Sequence, residues 1–100
     1  MKIKLSKIIL EGPKEKLDLT INTQPAMFLV SFAIFNVIKK EFNIDLNKAM
    51  YFAGHSLGEY SALAASKAIN VSDTATILRI RGTAMADAGK QTKGTMAAIK

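Results

Sequence analysis

From Ala26 to Phe35 the chain is apolar at nearly every position, Ser31 being the exception. Polar residues return at Asn36 and Lys39-Lys40, which suit the C-terminal end of a helix. This run predicts a helix to about Phe42, with Thr23 or Gln24 as cap and Pro25 in the first turn. Upstream, residues 1–11 fit two patterns: Ile3 and Leu5 alternate as in a strand, while Leu5, Ile8 and Ile9 share one helical face. Gly12-Pro13 opens a short helical turn from Lys14 to Leu17, and Leu19 to Asn22 reads as a loop. Downstream, Ala49-Met-Tyr-Phe-Ala53 predicts a short buried strand ending at Gly54, then a helix from Leu57 to about Lys67. Asn70 falls in a connection. Ser72 caps a further helix from Asp73 to about Ala88, closed by Gly89. Gly94 precedes Thr95-Met-Ala-Ala-Ile99, which has the pattern of a second strand.

A strand apolar on both faces belongs inside a parallel sheet, yet the pattern encodes no neighbour for 49–53. A helix apolar all round, such as 26–35, requires protein on every side. The inventory therefore reads as part of a larger α/β domain, poorly folded or dependent on other segments when alone.

Composition narrows the chemistry. The 100 residues hold no cysteine and one histidine, His55, which excludes disulfides, a Cys nucleophile and a multi-histidine metal site. No apolar run approaches the roughly 20 residues of a bilayer span, and no h-region follows the basic start. The expectation is a cytoplasmic protein without membrane contact. Lys and Arg number 14 against 8 Asp and Glu, a net charge of +6. These charges are scattered without aromatic interleaving, so a solvated surface is expected rather than a nucleic-acid patch. A basic face for an acidic partner is compatible with the same balance.

Gly54-His55-Ser56-Leu57-Gly58 matches G-x-S-x-G between an expected strand and an expected helix. On such an elbow a strained turn lifts the serine hydroxyl clear of the main chain, and glycines on both sides let backbone pass close by. Ser56 is then the candidate nucleophile, and the Leu57 N–H, at a helix start, a candidate oxyanion donor. The competing reading is a glycine-rich turn with an incidental serine. His55 is the only histidine, but adjacent side chains on a sharp turn diverge, so it reads as an elbow residue and not as the base. No catalytic dyad can then be completed within the chain, and negligible turnover by it alone is expected.

Arg79 and Arg81 lie on nearly opposite faces of the last helix. Arg81 has Ile77, Leu78, Ala84 and Met85 as its helical neighbours, whereas those of Arg79 are small or polar. Arg79 is expected in solvent and Arg81 inward, where its head group needs an anionic partner. That partner is either an acidic residue elsewhere or the carboxylate of a substrate. A reactive serine facing an inward arginine suits acyl transfer of a dicarboxylic half-thioester. A simple serine hydrolase has no use for the arginine.

Five stretches carry a resemblance: Glu11-Gly-Pro-Lys-Glu-Lys-Leu17, Asn22-Thr-Gln-Pro-Ala26, Gly54-His-Ser-Leu-Gly-Glu-Tyr-Ser-Ala-Leu63, Arg81-Gly82 with Met85, and Gly94-Thr-Met-Ala-Ala-Ile99. In this order, with 25 residues from Ser56 to Arg81, the chain resembles the malonyl-CoA:acyl carrier protein transacylase family, over roughly its N-terminal-to-middle third. The resemblance implies an α/β-hydrolase-like acyltransferase core over residues 1–93, with residues 94–100 starting the first strand of a ferredoxin-like insert. It implies Ser56 as nucleophile, Leu57 as backbone oxyanion donor, Arg81 as the malonyl-carboxylate ligand, Gly54, His55 and Gly58 as the elbow, and Gln24 as a structural residue near the site. It implies malonyl-CoA and acyl carrier protein as partners, with no metal and no cofactor. Departures are the missing Gly-Gln-Gly loop, catalytic histidine and C-terminal half of the core. A polyketide synthase acyltransferase domain shares the same motifs, and a catalytically incomplete piece that pairs with another chain is the reading from outside enzymology.

Overall fold

Residues 4–100 are described by a computed structural model, in which five helices surround a small core. They are α1 (Leu5–Glu11), α2 (Lys14–Leu17), α3 (Thr20–Glu41), α4 (Gly58–Ala65) and α5 (Val71–Thr92), with a 3-10 turn at Leu46–Lys48. The N-terminal ambiguity resolves to helix, with Leu5 buried and Ile8 and Ile9 half-buried. The strand alternative involved Ile3, which lies outside the described residues.

The seam between α3 and α5 holds the rest. Phe28 of α3 and Leu78 of α5 are fully buried, with Ala64 and Ala75 beside them and Leu29, Phe32, Leu57, Tyr60 and Val71 around. The helices close to backbone contact at Gly82. A β-carbon there would stand 2.9 Å from the Thr20 carbonyl oxygen and 3.0 Å from the Ile21 α-carbon. Only a residue without a side chain allows this approach.

Several expected boundaries are corrected. The loop at 19–22 is the start of α3, which begins at Thr20 with Leu19 as its cap, so neither Thr23 nor Gln24 is the cap and Pro25 lies inside the helix, not in its first turn. Proline lacks an N–H and leaves the Ile21 carbonyl without its i+4 donor. Arg79 Nη1 supplies a donor to that oxygen at 3.4 Å and to Asn22 Oδ1 at 3.0 Å. Asn22 Nδ2 in turn donates to the Lys16 carbonyl at 2.8 Å, tying α5, α3 and α2 together. Arg79 is thus half-buried and structural, not the solvated arginine its helical neighbours suggested. Asn70, not Ser72, caps α5: its side chain accepts from the Asp73 N–H at 2.7 Å and donates to the Asp73 carboxylate at 2.7 Å. Gly89 does not end α5. The helix runs to Thr92, and Lys93, at φ 48°, closes it.

The expected strands at 49–53 and 95–99 are not strands: 51–54 and 94–100 take no regular secondary structure. A strand exists by pairing, and no partner segment lies beside either one among the described residues. Met50 and Tyr51 are consequently 85% exposed. The same lack of cover shows on α3, where Met27, Val30, Ile34 and Val37 form an exposed stripe at helical spacing. The Cα radius of gyration is 15.0 Å, against about 13 Å for a compact domain of this length. By length and composition α3 could cross a bilayer, contrary to the sequence expectation. Its first turns, however, bury Asn22 and Gln24 in contacts with α5, as a core helix does.

The seam generates one prediction. Gly82→Ala should force α5 off α3 and cost about 1–3 kcal/mol, read as a lower urea midpoint for the helical signal. An unchanged midpoint would mean the helices are not this close.

Candidate active site

The elbow is built by its backbone. Ser56 has φ 55°, a left-handed conformation that costs a non-glycine residue roughly 1 kcal/mol. The chain reverses through it. Gly58 N–H donates to the His55 carbonyl at 2.9 Å, and Glu59 N–H to the Ser56 carbonyl at 3.2 Å. The turn is so tight that a β-carbon on Gly54 would lie 2.0 Å from the Gly58 carbonyl oxygen. Gly54 is therefore obligatory. Gly58 is not required in the same way: a β-carbon there meets nothing within 4 Å. This corrects the expectation that both glycines serve close approach.

Ser56 is exposed, and α4 begins two residues later. The Leu57 N–H donates to no backbone carbonyl among the described residues. His55 is exposed, and its imidazole makes no hydrogen bond to Ser56 among the described residues.

The structure brings Ser56, Arg81 and Gln24 together. Arg81 Nη2 donates to Ser56 Oγ at 3.2 Å, and Arg81 Nη1 donates to Gln24 Oε1 at 2.5 Å. Gln24 Nε2 donates to Thr20 Oγ1 and to Met85 Sδ, each at 3.2 Å. The Arg81 guanidinium carbon also stands 5.7 Å from the centre of the Tyr60 ring, a cation–π contact. Arg81 reaches the serine because Leu78 and Gly82 occupy the centre of the seam, leaving Arg79 on one flank and Arg81 on the other. Sequence reasoning named Met85 as a helical neighbour of Arg81 but missed Tyr60 and Thr20 as neighbours of this cluster. The signal for Tyr60 was available, four residues past the serine on the following helix. Thr20 was hidden by reading 19–22 as a loop.

No group of three or more potential ligands is placed to hold a metal among the described residues. A groove of about 200 Å³ between α3 and α4, lined by Phe32, Phe35, Phe52 and Ser61, does not include Ser56. A larger one, about 560 Å³, borders Thr20 and Met85, the partners of Gln24.

A serine on a strained turn before a helix thus stands beside a guanidinium tethered by Gln24. Comparison with known proteins gives the family. The acyl transferase domain family matches residues 1–100, and the chain belongs to that family. It is 43% identical over 99 residues to the malonyl CoA-acyl carrier protein transacylase of Bacillus subtilis, covering 99% of this chain and 30% of that protein. Its counterpart in Haemophilus influenzae is 39% identical over 92 residues, covering 92% and 29%. The crystal structure of acyl-carrier-protein-S-malonyltransferase from Bartonella henselae superposes with a TM-score of 0.75 at 52% identity, over 82% of this chain and 26% of that one. The chain thus spans under a third of the length of the relatives it matches.

The elbow yields a paired prediction. Gly54→Ala should lower stability by about 3 kcal/mol, since backbone must move to admit the methyl group. Gly58→Ala should be neutral or stabilising by up to about 1 kcal/mol at a helix start. Equal urea midpoints for the two variants would contradict the turn.

Proposed function

We propose that this chain is the nucleophile-bearing part of a transferase that moves malonyl from malonyl-CoA to the pantetheine thiol of acyl carrier protein. The observation that carries the reading is the 3.2 Å contact between the Arg81 guanidinium and Ser56 Oγ. The names of the relatives support the choice of malonyl. Ser56 Oγ attacks the thioester carbonyl, and its proton passes to a base outside this chain. The negative charge formed on the carbonyl oxygen is met by the Leu57 N–H. The carbon–sulfur bond breaks, CoA departs as the thiol, and malonyl stays as an ester on Ser56. The carrier thiol reverses these steps. Arg81 pairs with the free carboxylate of malonyl, so an acetyl group, which cannot pair, is penalised.

On this reading residues 1–93 belong to an α/β-hydrolase-like core and 94–100 enter a ferredoxin-like insert. The uncovered stripe on α3 and the unpaired segment at 51–54 support a larger domain in which both are packed. The setting is cytoplasmic fatty-acid synthesis, without metal or cofactor. His55 is left out of the chemistry, so the isolated chain turns over negligibly.

The test is a chimera carrying this segment in place of the matched residues of the Bacillus subtilis relative. It should transfer malonyl, and Ser56→Ala should abolish the covalent malonyl adduct seen by intact mass. Arg81→Ala and Arg81→Lys should each lower malonyl transfer by about tenfold or more while changing acetyl transfer by less than about threefold. Equal loss for both acyl groups would refute the carboxylate role.

A further inference from the structure

We propose that Gln24 is a positioning residue whose neutral amide fixes the Arg81 guanidinium without cancelling its charge, which stays available to the substrate carboxylate. The inference rests on the malonyl reading above and adds a residue to it. Gln24 is 4% exposed, and its amide has one workable orientation. Arg81 can only donate and the Met85 thioether can only accept. The Gln24 oxygen must therefore face Arg81, and its nitrogen must face Met85 and Thr20, as observed. With Nη1 held by that oxygen, the Nη2 edge is left facing Ser56.

The partners of the guanidinium share one property. The Gln24 amide, the Ser56 hydroxyl and the Tyr60 ring are all uncharged. The one ion pair among the described residues is Lys14–Asp18, on the surface of α2, so no carboxylate of these residues neutralises Arg81. Sequence reasoning expected an anionic partner for an inward arginine. The structure supplies a polar one that satisfies the N–H group and leaves the positive charge unspent. A glutamate at position 24 would hold the guanidinium equally well, but as an ion pair, and an incoming carboxylate would meet a neutral site.

The test uses the chimera described above, taken without substitution as the wild type and ¹⁵N-labelled at arginine, with malonate as the probe. A held guanidinium should give separate Arg81 Nη resonances in the wild type, and malonate should shift them. Gln24→Leu should merge these resonances. Gln24→Glu should keep them separate yet weaken malonate binding by about tenfold or more. A merely structural Gln24 would let Gln24→Glu bind malonate as the wild type does, and that result overturns the proposal alone. Merged Arg81 resonances in the wild type overturn it too, by removing the tether. A chimera that holds Arg81 but takes no malonate overturns the malonyl reading, and this role with it.

Discussion

The approach of α5 to the first turn of α3 is the constraint on which the site depends. Gly82 lets the two backbones meet, with 2.9 Å between its absent β-carbon and the Thr20 carbonyl oxygen. That closeness decides what the flanking arginines can reach. Arg79 turns to the carbonyl that Pro25 leaves free and to Asn22. Arg81 turns to Gln24 and, beyond it, to Ser56. A wider seam would leave both side chains to water, and the serine would face no cation. The proline inside α3 belongs to the same arrangement. It removes a hydrogen bond from the helix and gives an arginine of another helix a place to bind.

The strained turn at Ser56 is the second element, and it is local. Its geometry follows from Gly54, whose lack of a side chain admits the Gly58 carbonyl, and from the hydrogen bonds that wind the chain into α4. The two devices are separate in sequence and meet in space, α5 bringing the cation and the elbow bringing the hydroxyl. Neither uses the apolar stripe of α3, which lies uncovered along Met27, Val30, Ile34 and Val37. Protein packed there would stabilise the domain without entering the chemistry.

Much of this was legible from residues alone, for identifiable reasons. The elbow could be read because G-x-S-x-G encodes a backbone requirement, and the inward face of Arg81 because apolar neighbours at three and four residues mark the seam. The start of α3 was not legible, since Leu19 to Asn22 lacks a side-chain cap and Pro25 looks like a first-turn residue; the early turn is instead held by the Asn22 and Thr23 side chains, which donate to carbonyls of α2, and by the Ile21 carbonyl, which accepts from Arg79 of α5. Arg79 was misjudged for a related reason. Small neighbours on a helix mark close approach as readily as exposure, and Gly82 marks it here. The strands at 49–53 and 95–99 could not be confirmed by pattern, because pairing is decided by other segments. Gln24 could be placed near the site, but its role required the orientation of its amide.

The central claim is that Arg81, tethered at one edge, presents the other to whatever carboxylate approaches Ser56. A crystal structure of the chimera with malonate bound tests it most directly. The account predicts one malonate carboxylate on the Arg81 guanidinium, with Gln24 Oε1 still accepting from Nη1 and Ser56 Oγ within reach of the other end of the ligand. Arg81 swung into solvent, or malonate bound away from Ser56, would contradict it.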